Sequence, residues 1–423
     1  MTTSERAPAT PPKQCYVWIW LPGATEPVVA SRLGAEGERL LFNYGRSYLA
    51  RPDAIAIFER ELPLRPGLLE PGPGLSAPGC IRDAAPDAWG RRVIINRLTG
   101  ARRAEIDPAA LPELTYLLKS GSDRIGMLDF QRSPSIYEPR LSGEASLEDL
   151  MDAANRVDLG VPLSPEIGQA LFHGSSIGGA RPKALLQDGG RKLIAKFTAS
   201  GDVYSVVKAE FVAMRLAAAV GLNVARVELA RAAGKDVLLI ERFDRQRSGE
   251  GWTRRGLISA LTLLELDEMM ARYASYADLA EIIRHRFAEP RASLHELYGR
   301  IVFNILCGNT DDHARNHAAF WDGAALRLTP AYDICPQARA GGEAGQAMLI
   351  QGEDRTSRIA TCLDAAHLFQ LDRDRARIGA WLKALHANPS AFLTAAGKAQ
   401  AAADFLLRLM GVRLASEPDE RAP

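Results

Sequence analysis

Asn309-Thr310-Asp311-Asp312-His313-Ala314-Arg315-Asn316, followed after two short strand-like pieces by Leu328-Thr329-Pro330-Ala331-Tyr332-Asp333, is the stretch on which the fold turns. It follows a helical pattern over Leu294–Cys307 and precedes the extended pieces Ala318–Trp321 and Ala325–Leu328. Its side chains are hard oxygen donors in a fixed order. Asp311 can accept a proton, Asn316 offers an amide oxygen five residues later, and Asp333 offers a second carboxylate. Hard oxygens are what Mg²⁺ prefers. A polar loop closed by Asx turns would be equally rich in Asp and Asn, so the motif needs support from elsewhere. A rival chemistry is also present: His313 and His317 stand four apart beside Asp311 and Asp312. Ligation of a transition metal by that pair would require a helix directly after Asp312, and Ala318-Ala319-Phe320-Trp321 reads as extended instead.

Two upstream segments supply the support. Lys196 lies in the apolar run Leu193-Ile194-Ala195-Lys196-Phe197, where a lysine either snorkels to water or pairs with an anion. On the following helical stretch, Glu210 is available to orient it. Ser175-Ser176-Ile177-Gly178-Gly179-Ala180-Arg181-Pro182-Lys183 is a small-residue loop whose paired glycines let backbone amides approach phosphate oxygens. It is no Walker A loop, because GK[ST] does not occur, and taken alone it is a plain turn. Lysine, glutamate, Asp-x4-Asn and a later Asp together follow the logic of the protein-kinase phosphotransfer site.

Read outward, the chain organises around these segments. Strand signals occur at Cys15–Leu21, Arg39–Tyr44 and Ala54–Phe58. Helical patterns occur at Asp83–Arg97, Arg102–Lys119 and Ser146–Val157, the last opened by a Ser146/Asp149 capping box. Strand pairs follow at Ala184–Gln187 with Lys192–Phe197, and at Val224–Ala230 with Asp236–Arg242, separated by a helix over Ser205–Val220 that Gly221 stops. Beyond Gly251 the pattern is helical over Leu257–Met270, Tyr276–Phe287 and Leu294–Cys307, and again over Ile359–Met410. The fold class expected is α/β (α+β): a two-lobed protein-kinase-like fold with a small N-terminal α/β subdomain and a helix-rich C-terminal lobe. The expected division is a tail over 1–13, the small subdomain over 14–105, a helical connector over 106–164 and the kinase-like domain over 165–415. Within the last, a nucleotide-covering lobe spans about 165–246 and a helical catalytic lobe about 247–415.

Composition narrows the class. The 423 residues are 47% hydrophobic and carry 52 Lys plus Arg against 51 Asp plus Glu. Bulk charge therefore gives no footprint for nucleic acid or an anionic membrane. Five cysteines, with no CxxC pair, read as buried free thiols of a reducing compartment. No signal-peptide core opens the chain and no apolar run approaches a membrane span, so the expected location is cytoplasmic. Trp18, Trp20 and Trp89 read as core, and the acidic run over Leu264–Met270 as a solvated helix face.

With these residues in hand the chain resembles the HipA family of type II toxin–antitoxin kinases. The resemblance runs through Phe42-x-Tyr44, Leu62-Pro63-Leu64 and Asp83-Ala84-Ala85-Pro86-Asp87-Ala88-Trp89-Gly90 in the first part. It continues through Ser176–Lys183, Ile240-Glu241-Arg242-Phe243-Asp244-Arg245, Asn309–Asn316 and Thr329–Asp333. It implies an ATP- and Mg²⁺-dependent serine/threonine protein kinase. Gly178, Gly179, Ala180, Arg181, Pro182 and Lys183 would cover the ATP phosphates, with Lys196 contacting them and Glu210 paired to it. Glu241, Arg242 and Phe243 would be the hinge that holds adenine, chiefly by backbone. Asp311 would be the catalytic base, and Asn316 and Asp333 the metal ligands. His313, Arg315 and Tyr332 would complete the nucleotide site, Arg315 standing where the family often carries Lys. Ser176, or Ser175 beside it, would match the inhibitory autophosphorylation serine.

The resemblance also implies partners: a HipB-like helix-turn-helix antitoxin, DNA only through that antitoxin, and a protein substrate such as an aminoacyl-tRNA synthetase. Two other readings compete. One is a catalytically silent co-repressor, which would be expected to have lost the base or metal positions. The other is a metal-dependent hydrolase built on the two histidines.

Overall fold

The computed structural model describes residues 11–99, 111–141, 145–161, 163, 171, 179–199, 201, 202, 204–337 and 343–371. Gly178, Ser175, Ser176, most of the expected tail, the first part of the expected 102–119 helix and everything beyond residue 371 lie outside them. Two compact units are present: Met1–Leu185 with Asp244–Gly256, and Leu186–Phe243 with Leu257–Pro423.

In the first unit, β1 (Gln14–Ile19), β2 (Val28–Glu36), β3 (Arg39–Tyr44) and β4 (Leu128–Gln131) form an antiparallel sheet in the order β3-β2-β1-β4. β1 is aromatic and β-branched, which suits a central strand, and the β1–β2 register shifts between Val17 and Trp18. Besides single helical turns, the unit carries α1 (Ala88–Thr99), α2 (Glu113–Lys119) and α3 (Leu147–Asp158). α3 starts on the expected capping box, with the Ser146 side chain accepting from the Asp149 amide. Trp89 is wholly buried, as are most atoms of Trp18 and Trp20. The Trp89 indole donates to the Lys183 carbonyl at 3.0 Å.

Two expectations in this unit need correction. Ala54–Phe58 is not a strand. Its backbone groups are taken by tyrosine hydroxyls instead: Ile57 N–H donates to Tyr44 at 2.9 Å, and Ile55 exchanges bonds with Tyr48 at 3.2 and 2.8 Å. The helix expected from Asp83 starts only at Ala88, past Pro86, which disfavours helical continuation through the residue before it.

The second unit carries a four-stranded sheet, β5-β6-β8-β7, built from β5 (Lys183–Asp188, of which residues 186–188 belong to this unit), β6 (Arg191–Phe197), β7 (Val227–Ala232) and β8 (Lys235–Glu241). β6 and β7 both pair antiparallel with β8. Between β6 and β7 runs α4 (Val206–Ala219), which Gly221 ends at φ +88°. α4 buries Val207, Phe211, Met214 and Leu216 in a core shared with Leu238 and Ile240 of the sheet and with Phe303, Ala331 and Ile334.

The remainder of this unit holds α5 (Tyr276–Arg286) and α6 (Pro290–Cys307). β9 (Arg245–Ser248) and β10 (Gly251–Arg254) pair antiparallel in the first unit, and the second unit also holds a sheet ordered β11-β12-β13, from β11 (Gly256–Ser259), β12 (Ala318–Trp321) and β13 (Leu326–Leu328). α6 has proline at its first turn and Gly308 in the left-handed region, φ +76°, at its end. Next comes α7 (Ile359–Ala365). The helix expected over Leu257–Met270 is instead a strand followed by one helical turn. Leu257 and Ile258 join β11, Ser259 caps the turn by accepting from Thr262, and Glu265 breaks it at φ +58°. Its acidic run is therefore an irregular loop and not a helix face. The five cysteines are free and buried.

Candidate active site

The candidate site residues come from four segments of the second unit. β6 delivers Lys196 and α4 delivers Glu210. The loop after α6 delivers Asp311 and Asn316, and the segment after β13 delivers Tyr332 and Asp333. Position 196 alternates with Ala195 and Phe197, and the strand places its side chain on the face turned to α4 and the 333 segment.

Lys196 Nζ donates to Glu210 Oε1 and to Asp333 Oδ1, each at 2.6 Å. Lys196 is 8% exposed and Glu210 only 1%. Burial works to lower the lysine pKa, but the facing carboxylates of Asp333 and Glu210 more than reverse it, so the ammonium is held charged, above the ordinary lysine value.

Asp333 is fixed by its backbone. Ala331 N–H donates to Asn223 O at 2.7 Å and its carbonyl accepts from Ala225 N–H at 2.9 Å. Upstream, Thr329 N–H donates to Ala318 O at 3.0 Å, and the Arg300 guanidinium reaches Thr329 O at 2.7 Å. Asp333 itself sits at φ +59°, a region that costs a non-glycine residue about 1–3 kcal/mol and clusters at functional sites. The neighbouring Tyr332 donates its hydroxyl to Arg315 O at 2.8 Å. Its ring lies 5.7 Å from that of Phe243, which in turn meets Phe320 edge-on at 5.9 Å. The expected hinge residue Phe243 thus packs directly beside Tyr332.

In the loop, Asp311 is exposed. Its carbonyl accepts from Asn316 Nδ2 at 3.2 Å and from His313 N–H at 2.9 Å. The first bond consumes the amide nitrogen of Asn316, which leaves Oδ1 as the atom available to a cation. Asn316 Oδ1 and the Asp333 carboxylate are hard donors that suit Mg²⁺ when phosphate oxygens and water complete the octahedron. Arg315 pairs with Glu268 at 3.2 Å.

The hinge is partly closed by its own sheet. Glu241 N–H donates to Arg226 O and Arg242 N–H to Lys192 O, both at 2.9 Å. Those two amides are therefore taken. Of the expected phosphate-covering residues, Gly179 to Lys183 are described and fall in the first unit. Gly179, at φ +108°, gives its carbonyl to Trp89 N–H at 3.3 Å, and a Cβ there would fall 2.1 Å from Lys183 Nζ. Ala180 O accepts from Arg92, and Lys183 is buried.

The histidine-metal reading does not survive this geometry. Only a single 3-10 turn, Ala314–Asn316, follows Asp312, so His313 and His317 do not stack on a helix. His317 Nε2 is held by Asp312 Oδ2 at 2.9 Å. Among the described residues, no three His, Cys, Asp or Glu side chains gather to hold a metal.

Asp312, to which the motif assigns no role, is the residue whose part in the loop the sequence leaves unread. It is 3% exposed and accepts from Asn304 Nδ2 at 2.7 Å, from the Tyr276 hydroxyl and from His317. Burial would raise its pKa, but His317 and Tyr276 hold it below the usual 3.8. Its contacts come from α5, α6 and the start of β12. The single sequence signal was the doubled Asp.

Comparison with known proteins follows the same lines. Residues 175–400, more than half of the 423-residue chain, match the family model of the HipA-like C-terminal domain. The chain belongs to the HipA-like family. Among HipA-like relatives, the putative kinase Y4mE of Sinorhizobium fredii is 28% identical over 268 residues, 56% of this chain and 60% of that protein. The serine/threonine-protein kinase toxin HipA of Shewanella oneidensis is 27% identical over 183 residues, 38% of this chain and 42% of that one. The matches thus span less than two thirds of either relative. A solved HipA chain from Shewanella oneidensis, in a complex of HipA, HipB and operator DNA, superposes with a TM-score of 0.62. That superposition covers 94% of this chain and 95% of the other at 17% identity, and it shows a shared, mixed α/β kinase-like fold.

Proposed function

We propose that this HipA-like protein is an ATP- and Mg²⁺-dependent serine/threonine protein kinase that acts as the toxin of a toxin–antitoxin pair. The observation that carries the reading is Lys196 held between Glu210 and Asp333 at 2.6 Å each. In kinases the equivalent lysine binds the α/β-phosphates, its glutamate partner orients it, and the later aspartate holds the metal.

Each residue then has a task. Glu210 keeps the Lys196 ammonium aimed at the phosphates. Asn316 Oδ1 and Asp333 hold Mg²⁺, which when bound neutralises charge on the phosphate oxygens. Asp311 accepts the proton of a serine or threonine hydroxyl as that oxygen bonds to the γ-phosphorus. The bond from the γ-phosphorus to the β–γ bridging oxygen breaks, and ADP carries the electron pair away. His313 and Arg315 border the nucleotide, and Phe243 and Tyr332 flank the base. Because the Glu241 and Arg242 amides are already bonded, the Phe243 amide is the donor assigned to adenine. Gly178 to Lys183 cover the phosphates.

The rest of the proposal follows the family. A phosphate on Ser176, or on Ser175, would add about −1.5 to −2 charge to the loop that receives ATP and expel it. Such a kinase silences itself. Its partner is a HipB-like helix-turn-helix antitoxin, through which operator DNA is reached. Its substrate is a translation component such as an aminoacyl-tRNA synthetase. Among the described residues, no helix is long and apolar enough to cross a membrane, which is compatible with the expected cytoplasmic setting. Retention of Asp311, Asn316 and Asp333 together speaks against a silent co-repressor.

Thermal unfolding with and without ATP and Mg²⁺ tests the binding half of this reading. At 100 times Kd, the ligand should stabilise by about 2.7 kcal/mol. Asp333→Asn should remove the Mg²⁺-dependent part. A shift that survives both Asp333→Asn and Lys196→Met would overturn the assignment. Phosphopeptide mapping after incubation with ATP tests the second half: label in the 175–183 loop should vanish in the Ser175→Ala, Ser176→Ala double variant.

A further inference from the structure

We infer that Asp312 is the positioning residue of the catalytic loop, and that Tyr276, Asn304 and His317 form the brace through which it acts. The inference rests on the kinase reading and adds residues that the phosphotransfer motif does not assign.

Asp311 and Asp312 are adjacent but point to opposite environments, one exposed and the other 3% exposed. A buried carboxylate without partners is costly, so Asp312 stays inside only because its donors hold it. Those donors come from three separate elements: the Tyr276 hydroxyl at the start of α5, Asn304 Nδ2 at 2.7 Å on α6, and His317 Nε2 at 2.9 Å at the entry to β12. The brace is itself tied in. Asn304 Oδ1 accepts from Asn309 Nδ2 at 3.1 Å, and Asn304 O accepts from Asn309 N–H at 2.8 Å. The Tyr276 and His317 rings meet edge-on at 5.6 Å.

The consequence falls on Asp311. Its carbonyl is gripped by Asn316 and His313, and the residue that follows it, Asp312, is held by three buried donors. The direction of the chain through Asp311 is therefore set by where Asp312 is pinned. A catalytic carboxylate displaced by about 1 Å can lose on the order of 100-fold in rate. Asp312 touches neither nucleotide nor substrate. It acts by fixing the register in which Asp311 faces out.

The prediction concerns turnover and not nucleotide binding. Phosphate transfer from ATP to protein would be followed under steady-state conditions for wild type, Asp311→Asn, Asp312→Asn and Tyr276→Phe, with melting temperatures measured alongside. Asp311→Asn should abolish transfer, which establishes the assay. Asp312→Asn should lower kcat roughly 10- to 100-fold while the KM for ATP stays within about twofold. Tyr276→Phe, which deletes a single hydroxyl, should lower kcat less, in the same direction and with the same unchanged KM. Should Asp312→Asn not fold, Tyr276→Phe decides alone. Wild-type kcat in Tyr276→Phe, or parallel loss of kcat and ATP affinity, overturns the brace and leaves the kinase reading standing. A wild type that transfers no phosphate overturns both.

Discussion

Lys196 and Asp312 are two buried charged residues with opposite pH behaviour. Lys196 has its pKa raised. Its contribution is fully present below the ordinary lysine value and fades only as pH rises through the higher folded value. Asp312 has its pKa lowered. Its contribution is present above the ordinary value of 3.8 and is lost as pH falls through the lower folded value. Neither should make stability vary between about pH 6 and pH 9. The acid limb of a stability–pH curve should be shallower in Asp312→Asn than in wild type, and an unchanged limb would contradict the buried charge. Lys196→Met should cost roughly 3–5 kcal/mol, because the buried Glu210 carboxylate loses the ammonium that faces it at 2.6 Å. Adding Glu210→Leu should recover part of that, with a coupling of about 0.5–3 kcal/mol in urea denaturation. Asp311, Asn316 and Asp333 stand out in the sequence as candidates because their chemistry and spacing lie in one short stretch. The brace does not: Tyr276 is 36 residues from Asp312, and the sequence gives no sign of which partner His317 chooses.

Elements were legible where punctuation was local. Ser146 and Asp149 announce α3, Gly221 ends α4, and proline and Gly308 bracket α6. The failures came where tertiary partners decided. Ala54–Phe58 is β-like in composition, but Tyr44 and Tyr48 take its backbone groups. Leu257–Met270 has a helical pattern, but its first residues pair into β11. Gly308→Ala should cost roughly 1–2 kcal/mol, since an L side chain is disfavoured in the left-handed region, and should reduce kcat by loosening the loop that begins there. At β4, Asp129 binds Arg124 and Arg140, both at 2.9 Å. Burial lowers the Arg124 pKa to about 10. Asp129→Asn should destabilise by about 3–5 kcal/mol, seen as a lower urea midpoint, because one guanidinium is left without charge compensation in the core.

At the scale of the whole molecule, the fold class was legible in the sequence. The return of Asp244–Gly256 to the first unit was not. That return depends on contacts across more than a hundred residues, such as Arg245 with Asp123 at 3.0 Å and Asp244 with the Gly126 amide at 2.9 Å. No local pattern encodes such pairs. Within the second unit, strand β6, helix α4 and the 333 segment meet at Lys196, Glu210 and Asp333, the loop after α6 touches the 333 segment where Tyr332 donates to Arg315 O, and the functional assignment depends on that meeting. A crystal of the protein grown with a non-hydrolysable ATP analogue and Mn²⁺ tests it directly. The anomalous peak should lie about 2.0–2.2 Å from Asn316 Oδ1 and an Asp333 carboxylate oxygen, with Lys196 Nζ on the α/β-phosphates. A cation or nucleotide bound away from these three residues would contradict the account.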